Sequence, residues 1–251
     1  MGMIRFVHRL IQHLTPQRMQ TFVQYHLCWS TGKLEKEVRY LPHLAQSGTV
    51  AIDIGANWGM YTYAMQRYFQ QVYAFEPHPH FAGTLRELGD GTEVFNIALS
   101  DRRGRMELHV PLQDSKTMDG RQVSVPLYGW STLSPSSTEE VDPQSRYQKH
   151  TVNVDLLDTF ALENVAIIKI DVEGHELEVL KGSYSTICQN RPSVIIEVKK
   201  SHRDAVHDFF KKIEYNRYTL SDLFEEEGTP ANEIYLPSEA ALPSGTALLS
   251  E

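Results

Sequence analysis

Cysteine is almost missing: among 251 residues there are two, Cys28 and Cys188. Far apart and in no C-x-x-C or Cys/His spacing, they exclude a disulfide framework and read as small hydrophobes in a reducing compartment. Long apolar runs are missing as well. Near the N-terminus Ile4, Phe6, Val7, Leu10, Ile11 and Leu14 are interrupted by His8, Arg9, Gln12 and His13, so neither a signal-peptide core nor a membrane span is expected. A myristoylation pattern fails at Phe6, where Ser or Thr would be required. These absences together predict a cytoplasmic protein. Net positive charge is also lacking, with 24 basic against 32 acidic side chains and a formal charge of -8. That balance repels polyphosphates, so nucleic acid is not an expected partner. The charge is uneven: Arg5, Arg9, Arg18, Lys33, Lys36 and Arg39 face only Glu35 and Glu37 in the head, and from Glu225 onward every charge is acidic. Any peripheral contact with an anionic surface would therefore run through the basic N-terminal helices.

What is present is ordinary globular composition, 41% hydrophobic and 22% charged, in a chain of a length that α/β folds often fill as one domain. Residues 1–48 read as a helical extension, with one stripe from Ile4 to Leu14, a break at Thr15-Pro16, and a second helix to about Leu27. The pattern then changes. Thr49-Val-Ala-Ile-Asp-Ile54 is a buried strand, Trp58 to Phe69 a helix, Val72-Tyr-Ala-Phe75 a strand, His80 to Leu88 a helix, and Val94 to Ala98 a third strand. After an insertion at about 101–152, the alternation resumes with Val165 to Ile170, a helix to about Gly182, Ser193 to Val198, and a helix from about Asp204 to Ile213. This predicts a doubly wound, mostly parallel Rossmann-like sheet over 49–224. The insertion, which carries Met106 to Val110 and the Trp130 segment Tyr128 to Leu133, is either a pocket wall or an edge hairpin. The acidic residues 225–251 read as a closing hairpin and tail.

Asp53-Ile-Gly-Ala-Asn-Trp-Gly59 leaves the first strand and opens the first helix, where an open α/β sheet forms its ligand crevice. A dinucleotide fingerprint would place glycines at 55, 57 and 60; the chain has Asn57 and Met60, and Asp53 would repel an anion and suit an ammonium. The second strand ends at Phe75-Glu76-Pro77, and a carboxylate there can accept both hydroxyls of a ribose. A ribose with an amino acid end describes S-adenosylmethionine.

These two segments, with Asn96-Ile-Ala-Leu-Ser-Asp101 and Ile168-Lys-Ile-Asp-Val-Glu-Gly-His-Glu176, resemble the FkbM family of class I methyltransferases, in order and spacing, from about Thr49 to Lys199. The resemblance implies that Gly55, Ala56, Asn57 and Gly59 line the methionine moiety with Asp53 near its ammonium. Tyr61 or Thr62 would reach its carboxylate, Glu76 would hold the ribose, and Asn96 to Ala98 the adenine. The alternative for Gly55 and Gly59 is a tight strand-to-helix turn, and for Glu76 a cap or ion pair.

Lys169, Asp171 and Glu173 alternate, so period two places them on one face at the end of a strand, and Gly174 permits a turn into a helix bearing His175 and Glu176. The resemblance puts the acceptor here, beside the reactive methyl. Glu173 and His175 are candidates for the base, Asp171 for orienting cofactor or acceptor, and Glu197 for completing the rim with Lys199. His175 as a helix cap and Glu197 as an ion-pair partner are the alternatives. The acids and His175 could hold a hard divalent cation, and His78 and His80 also invite a metal, yet a proline-rigid turn explains the histidines and no metal site is assigned. The leading expectation is an S-adenosylmethionine-dependent O-methyltransferase acting on a hydroxyl of a sugar, glycan or polyketide-like small molecule. A nucleotide-dependent oxidoreductase on the same fold and a non-catalytic cofactor-binding module remain as alternatives.

Overall fold

The computed structural model describes residues 15–116, 122–127, 131–133, 146–226 and 232–243. The expected helix from Ile4 to Leu14, and Trp130, lie outside the described residues.

The described chain starts with α1 (Gln17–Ser30), a 3-10 turn (Lys36–Tyr40) and the short α2 (Leu41–Leu44). Alternation then begins: β1 (Val50–Ile54), α3 (Met60–Met65), β2 (Gln71–Phe75), α4 (Pro79–Arg86) and β3 (Thr92–Phe95). After the insertion come β8 (Val165–Ile170), α5 (Glu176–Gly182), α6 (Tyr184–Asn190), β9 (Ser193–Glu197), α7 (Arg203–Lys212), β10 (Tyr215–Tyr218), α8 (Leu220–Leu223) and β11 (Asn232–Pro237). They form a seven-stranded sheet in the order β10-β11-β9-β8-β1-β2-β3. β11 runs antiparallel to both neighbours, and β3, β2, β1, β8 and β9 are mutually parallel.

The central strands are continuous apolar runs because both faces are covered. Ile52, Ile54, Ile168, Ile170 and Ile196 turn toward the layer that holds Val179, Ile187 and Phe210 of α5 to α7. Ala51, Ile167 and Ile195 turn the other way, against Tyr25, Leu41, Leu44 and Ala64. Period two thus divides one strand between two cores.

Two boundaries differ from the sequence reading. The third strand stops at Phe95, because the Asn96 side-chain amide donates to the carbonyls of Glu76 and Pro77 at 2.9 and 2.8 Å. Ala98–Leu99, labelled β4, then joins a second sheet of order β4-β7-β5-β6, with β5 (Gly104–Lys116), β6 (Gln122–Pro126) and β7 (Arg146–Asp155). The insertion is therefore a sheet with its own small core of Leu108, Val110, Leu133, Val152 and Val154. The closing hairpin starts at β10, before Glu225, and its return strand β11 lies between β9 and β10 inside the main sheet.

Candidate active site

The carboxyl ends of β1, β2 and β8 open on a cleft of about 590 Å³ reckoned out to bulk solvent. Its floor is the turn after β1. Gly55 has φ 79, and a side chain there would place a Cβ 1.8 Å from the Asp171 carbonyl oxygen; only glycine lets the ends of β1 and β8 approach this closely. Asn57 follows with φ 49, a left-handed conformation that asparagine tolerates better than most residues. Its side-chain Oδ1 is buried without a hydrogen-bond partner among the described residues. An orphaned acceptor on a cleft wall is a place for a ligand donor.

Glu76 forms the facing wall. Its Oε2 accepts the Asn57 backbone N–H at 2.8 Å and its Oε1 accepts that of His78 at 2.7 Å. Each oxygen retains further acceptor capacity, and the residue lines the cleft. Burial pushes this carboxyl up to about 7, against the pull of the two amides. The cap alternative is thus partly realised, since Glu76 ties the glycine turn to its own loop.

The third wall follows β8. The strand ends at Ile170, so alternation does not reach Glu173; instead Glu173 takes φ 50 and Gly174 φ 90. This reversal turns Asp171, Glu173 and His175 all into the cleft. Glu176 fixes the turn, accepting the Gly174 N–H at 2.7 Å while its other oxygen meets His202 Nδ1 at 2.7 Å. Burial first, and then the Asp171 charge, push Glu173 up to about 7 against Lys199, 3.7 Å away. Burial also raises Asp171, opposed by Lys169. His175 is buried, and burial lowers its pKa. Its Nε2 lies 3.0 Å from Ser100 Oγ and its Nδ1 3.7 Å from Glu178. Nε2 is thus within hydrogen-bond distance of Ser100, and Glu178 lies beyond that distance from Nδ1.

Several residues singled out by sequence lie away from the cleft lining. Asp53 is buried and accepts Thr62 Oγ1 at 2.5 Å, linking β1 to α3; burial lifts it to about 6. Tyr61 donates its hydroxyl to Glu35 at 2.7 Å. Ala56 packs with Ala74 and Leu85. Gly59 begins α3 at φ 79, and a Cβ there would meet Leu85 Cδ2 at 2.4 Å and Thr21 of α1 at 3.2 Å. Asn96 staples the Glu76 loop. Glu197 stands half-buried at the end of β9, pushed up to about 7 by burial and then by Asp171. Gly55, Asn57, Glu76, Ala98, Asp171, Glu173 and His175 are the predicted residues brought together around the cleft.

For the apolar side of the site, sequence reasoning offered the insertion as a pocket wall or an edge hairpin and named no lining residue as a site residue. Leu99, Leu108, Ser131 and Leu133 line it, three of them carried by the insertion. Their only signal was the length of that insertion and the aromatic segment preceding Ser131. Among the described residues, no three His, Cys, Asp or Glu side chains are disposed to hold a metal ion, and no helix is long and apolar enough to cross a membrane.

The profile of the Methyltransferase FkbM domain matches residues 53–225, which spans all three walls. The chain belongs to the FkbM methyltransferase family. The chain is 28% identical over 179 residues to the 2-O-methyltransferase NoeI of Sinorhizobium fredii, covering 64% of this chain and 68% of that one. It is 27% identical over 165 residues to the hexuronic acid methyltransferase AglP of Haloferax volcanii, covering 64% of this chain and 60% of that one. A crystal structure of Methyltransferase FkbM from Methylobacillus flagellatus superimposes with a TM-score of 0.51 at 16% identity, covering 91% of this chain and 57% of that one. The chain thus spans only about three fifths of the second relative and of the solved structure. The shared fold is the Rossmann-like sheet of class I methyltransferases.

Proposed function

We propose that this FkbM domain transfers a methyl group from S-adenosylmethionine to a hydroxyl group of a sugar or glycan. The observation that carries the reading is Glu76: a carboxylate clamped by two backbone amides at the cleft rim, with its remaining lone pairs available to a pair of vicinal hydroxyls. The orphaned Asn57 Oδ1 supplies an acceptor beside it for an ammonium or amine donor. Asn57 and Met60 occupy two positions where a diphosphate-binding loop needs glycine, which disfavours the dinucleotide alternative. The names of the relatives, a 2-O-methyltransferase and a hexuronic acid methyltransferase, support a sugar hydroxyl as acceptor.

When bound, S-adenosylmethionine supplies a methyl carbon already activated by its sulfonium. Glu76 would hold its ribose, and Gly55, Asn57 and Asp171 the amino acid end. Glu173 would take the acceptor's hydroxyl proton. A base poised at about 7 is matched to neutral pH, where positioned base catalysis is worth about 10²–10⁴-fold. His175, buried and held through Nε2 by Ser100, would orient the turn. Leu108 and Leu133 would exclude water from one side of the acceptor. Calorimetry with S-adenosylmethionine and S-adenosylhomocysteine tests the cofactor, with micromolar binding expected; no heat from folded protein at high concentration would end the reading. Label transfer to a panel of sugar glycosides tests the acceptor class.

A further inference from the structure

Lys169 is among the largest fully buried side chains of the protein, 1% exposed. An ammonium withdrawn from water needs close partners. The Asn232 side-chain Oδ1 is 2.8 Å from its Nζ, Asp171 Oδ2 is 3.7 Å away, and the Tyr61 ring centroid 5.1 Å away. Asn232 in turn donates its amide N–H to Glu35 Oε2 at 2.8 Å, and the same oxygen accepts the Tyr61 hydroxyl at 2.7 Å. The direction of this chain is fixed chemically. Glu35 can only accept and Lys169 can only donate, so the Asn232 amide has one orientation that serves both. Glu35 thereby holds two of the groups that locate the ammonium, and the buried Glu37 is a second carboxylate on Asn232 that also faces Lys169.

Resting on the function proposed above, we infer that Glu35 and Asn232 are positioning residues that set Lys169 as the fixed counter-cation of the cleft carboxylate Asp171. Both lie outside the family-matched residues 53–225: Glu35 precedes the sheet and Asn232 opens β11. The charge balance explains the need. Asp171 meets Glu35 and Glu176 besides Lys169. Its charge is also felt by Asp53 on β1, Glu76 after β2, Glu173 in the adjoining turn, Glu197 on β9 and Tyr61 on α3. Lys169 is the cation within ion-pair distance; if it drifts, the crowded acids favour a proton on Asp171. Asp171 would then remain neutral to higher pH, and a ligand bearing an ammonium would bind more weakly at the acid end of the range.

The test is the dissociation constant of S-adenosylmethionine, measured by calorimetry from about pH 6 to about pH 9. It compares wild type with Asn232→Ala, Glu35→Ala and Glu35→Gln. The expected result is that Asn232→Ala binds within about threefold of wild type near pH 9 but at least about tenfold more weakly near pH 6. Glu35→Ala should diverge in the same way from Glu35→Gln, because the two share the loss of a charge that presses on Asp171 and differ in the acceptor oxygen kept for Asn232 and Tyr61. Glu35 is half-buried, so a variant there keeps the test alive if Asn232→Ala does not fold. Equal weakening at every pH, or no weakening, overturns the inference and leaves the function standing. Absence of binding by the folded wild-type protein overturns the functional reading, and this inference with it.

Discussion

Glu76→Gln separates the cost of the site from its use. A carboxyl that titrates near about 4.3 in an unfolded chain is pushed up to about 7 by burial at the cleft rim. Its folded pKa is thus above its unfolded one, so stability is greatest with the carboxyl protonated and falls as pH rises from about 4 to about 7. The full loss corresponds to about 4 kcal/mol once the group is ionised. Glutamine carries no charge at any pH, but it keeps one acceptor oxygen where the carboxylate has two, so the backbone N–H of Asn57 or of His78 loses its partner at a pH-independent cost of about 1–3 kcal/mol. The stability of the variant relative to wild type should therefore rise by about 2–3 kcal/mol between about pH 5 and about pH 8. Urea unfolding at the two pH values reads this difference directly. The same change replaces charged hydrogen bonds to a ribose by neutral ones, so S-adenosylmethionine should bind about 10- to 100-fold more weakly. If the two stability curves run parallel with pH, the buried charge of Glu76 is not the cost deduced here. If the variant is folded yet binds the cofactor as wild type does, the ribose role is wrong.

Glu173→Gln should lower kcat by about 10²–10⁴-fold with little change in cofactor affinity. Wild-type activity should rise with pH through about 7 as Glu173 loses its proton, and a rate with that same rise in the variant would remove Glu173 as the base. His175→Asn should lower the melting temperature, because it abandons Ser100 and Glu178, while methyl transfer stays within about tenfold; a loss as large as that of Glu173→Gln would return the proton-transfer role to His175. Gly55→Ala should be the most damaging turn substitution. Its Cβ would fall 1.8 Å from the Asp171 carbonyl at a φ of 79, costing several kcal/mol as β1 and β8 are forced apart; chemical denaturation measures it, and a change below about 1 kcal/mol would contradict the close approach.

The order of strands and helices was legible because each element carries its own signature. Continuous apolar runs such as Val165 to Ile170 mark strands covered on both faces, and the glycine turn after Ile54 marks the mouth of the sheet. Glu76 and Asp171 could be placed by sequence for a related reason: both follow directly from the ends of parallel strands, and parallel strands end side by side. Contacts that reach far across the chain left no such trace. No local pattern announces that Glu35 meets Asn232, 197 residues away, or that Ser100 closes on His175. Nor does periodicity reveal that Tyr61 turns toward Glu35, or that the insertion supplies Leu108 and Leu133 to the cleft. Period and turn chemistry act over a few residues, and they determined the layers, the crevice and the acids at its rim. Which of those acids face the cleft, which are buried behind it, and what charge each can hold were decided by the packing of distant segments, because burial and neighbouring charge are properties of the folded chain alone.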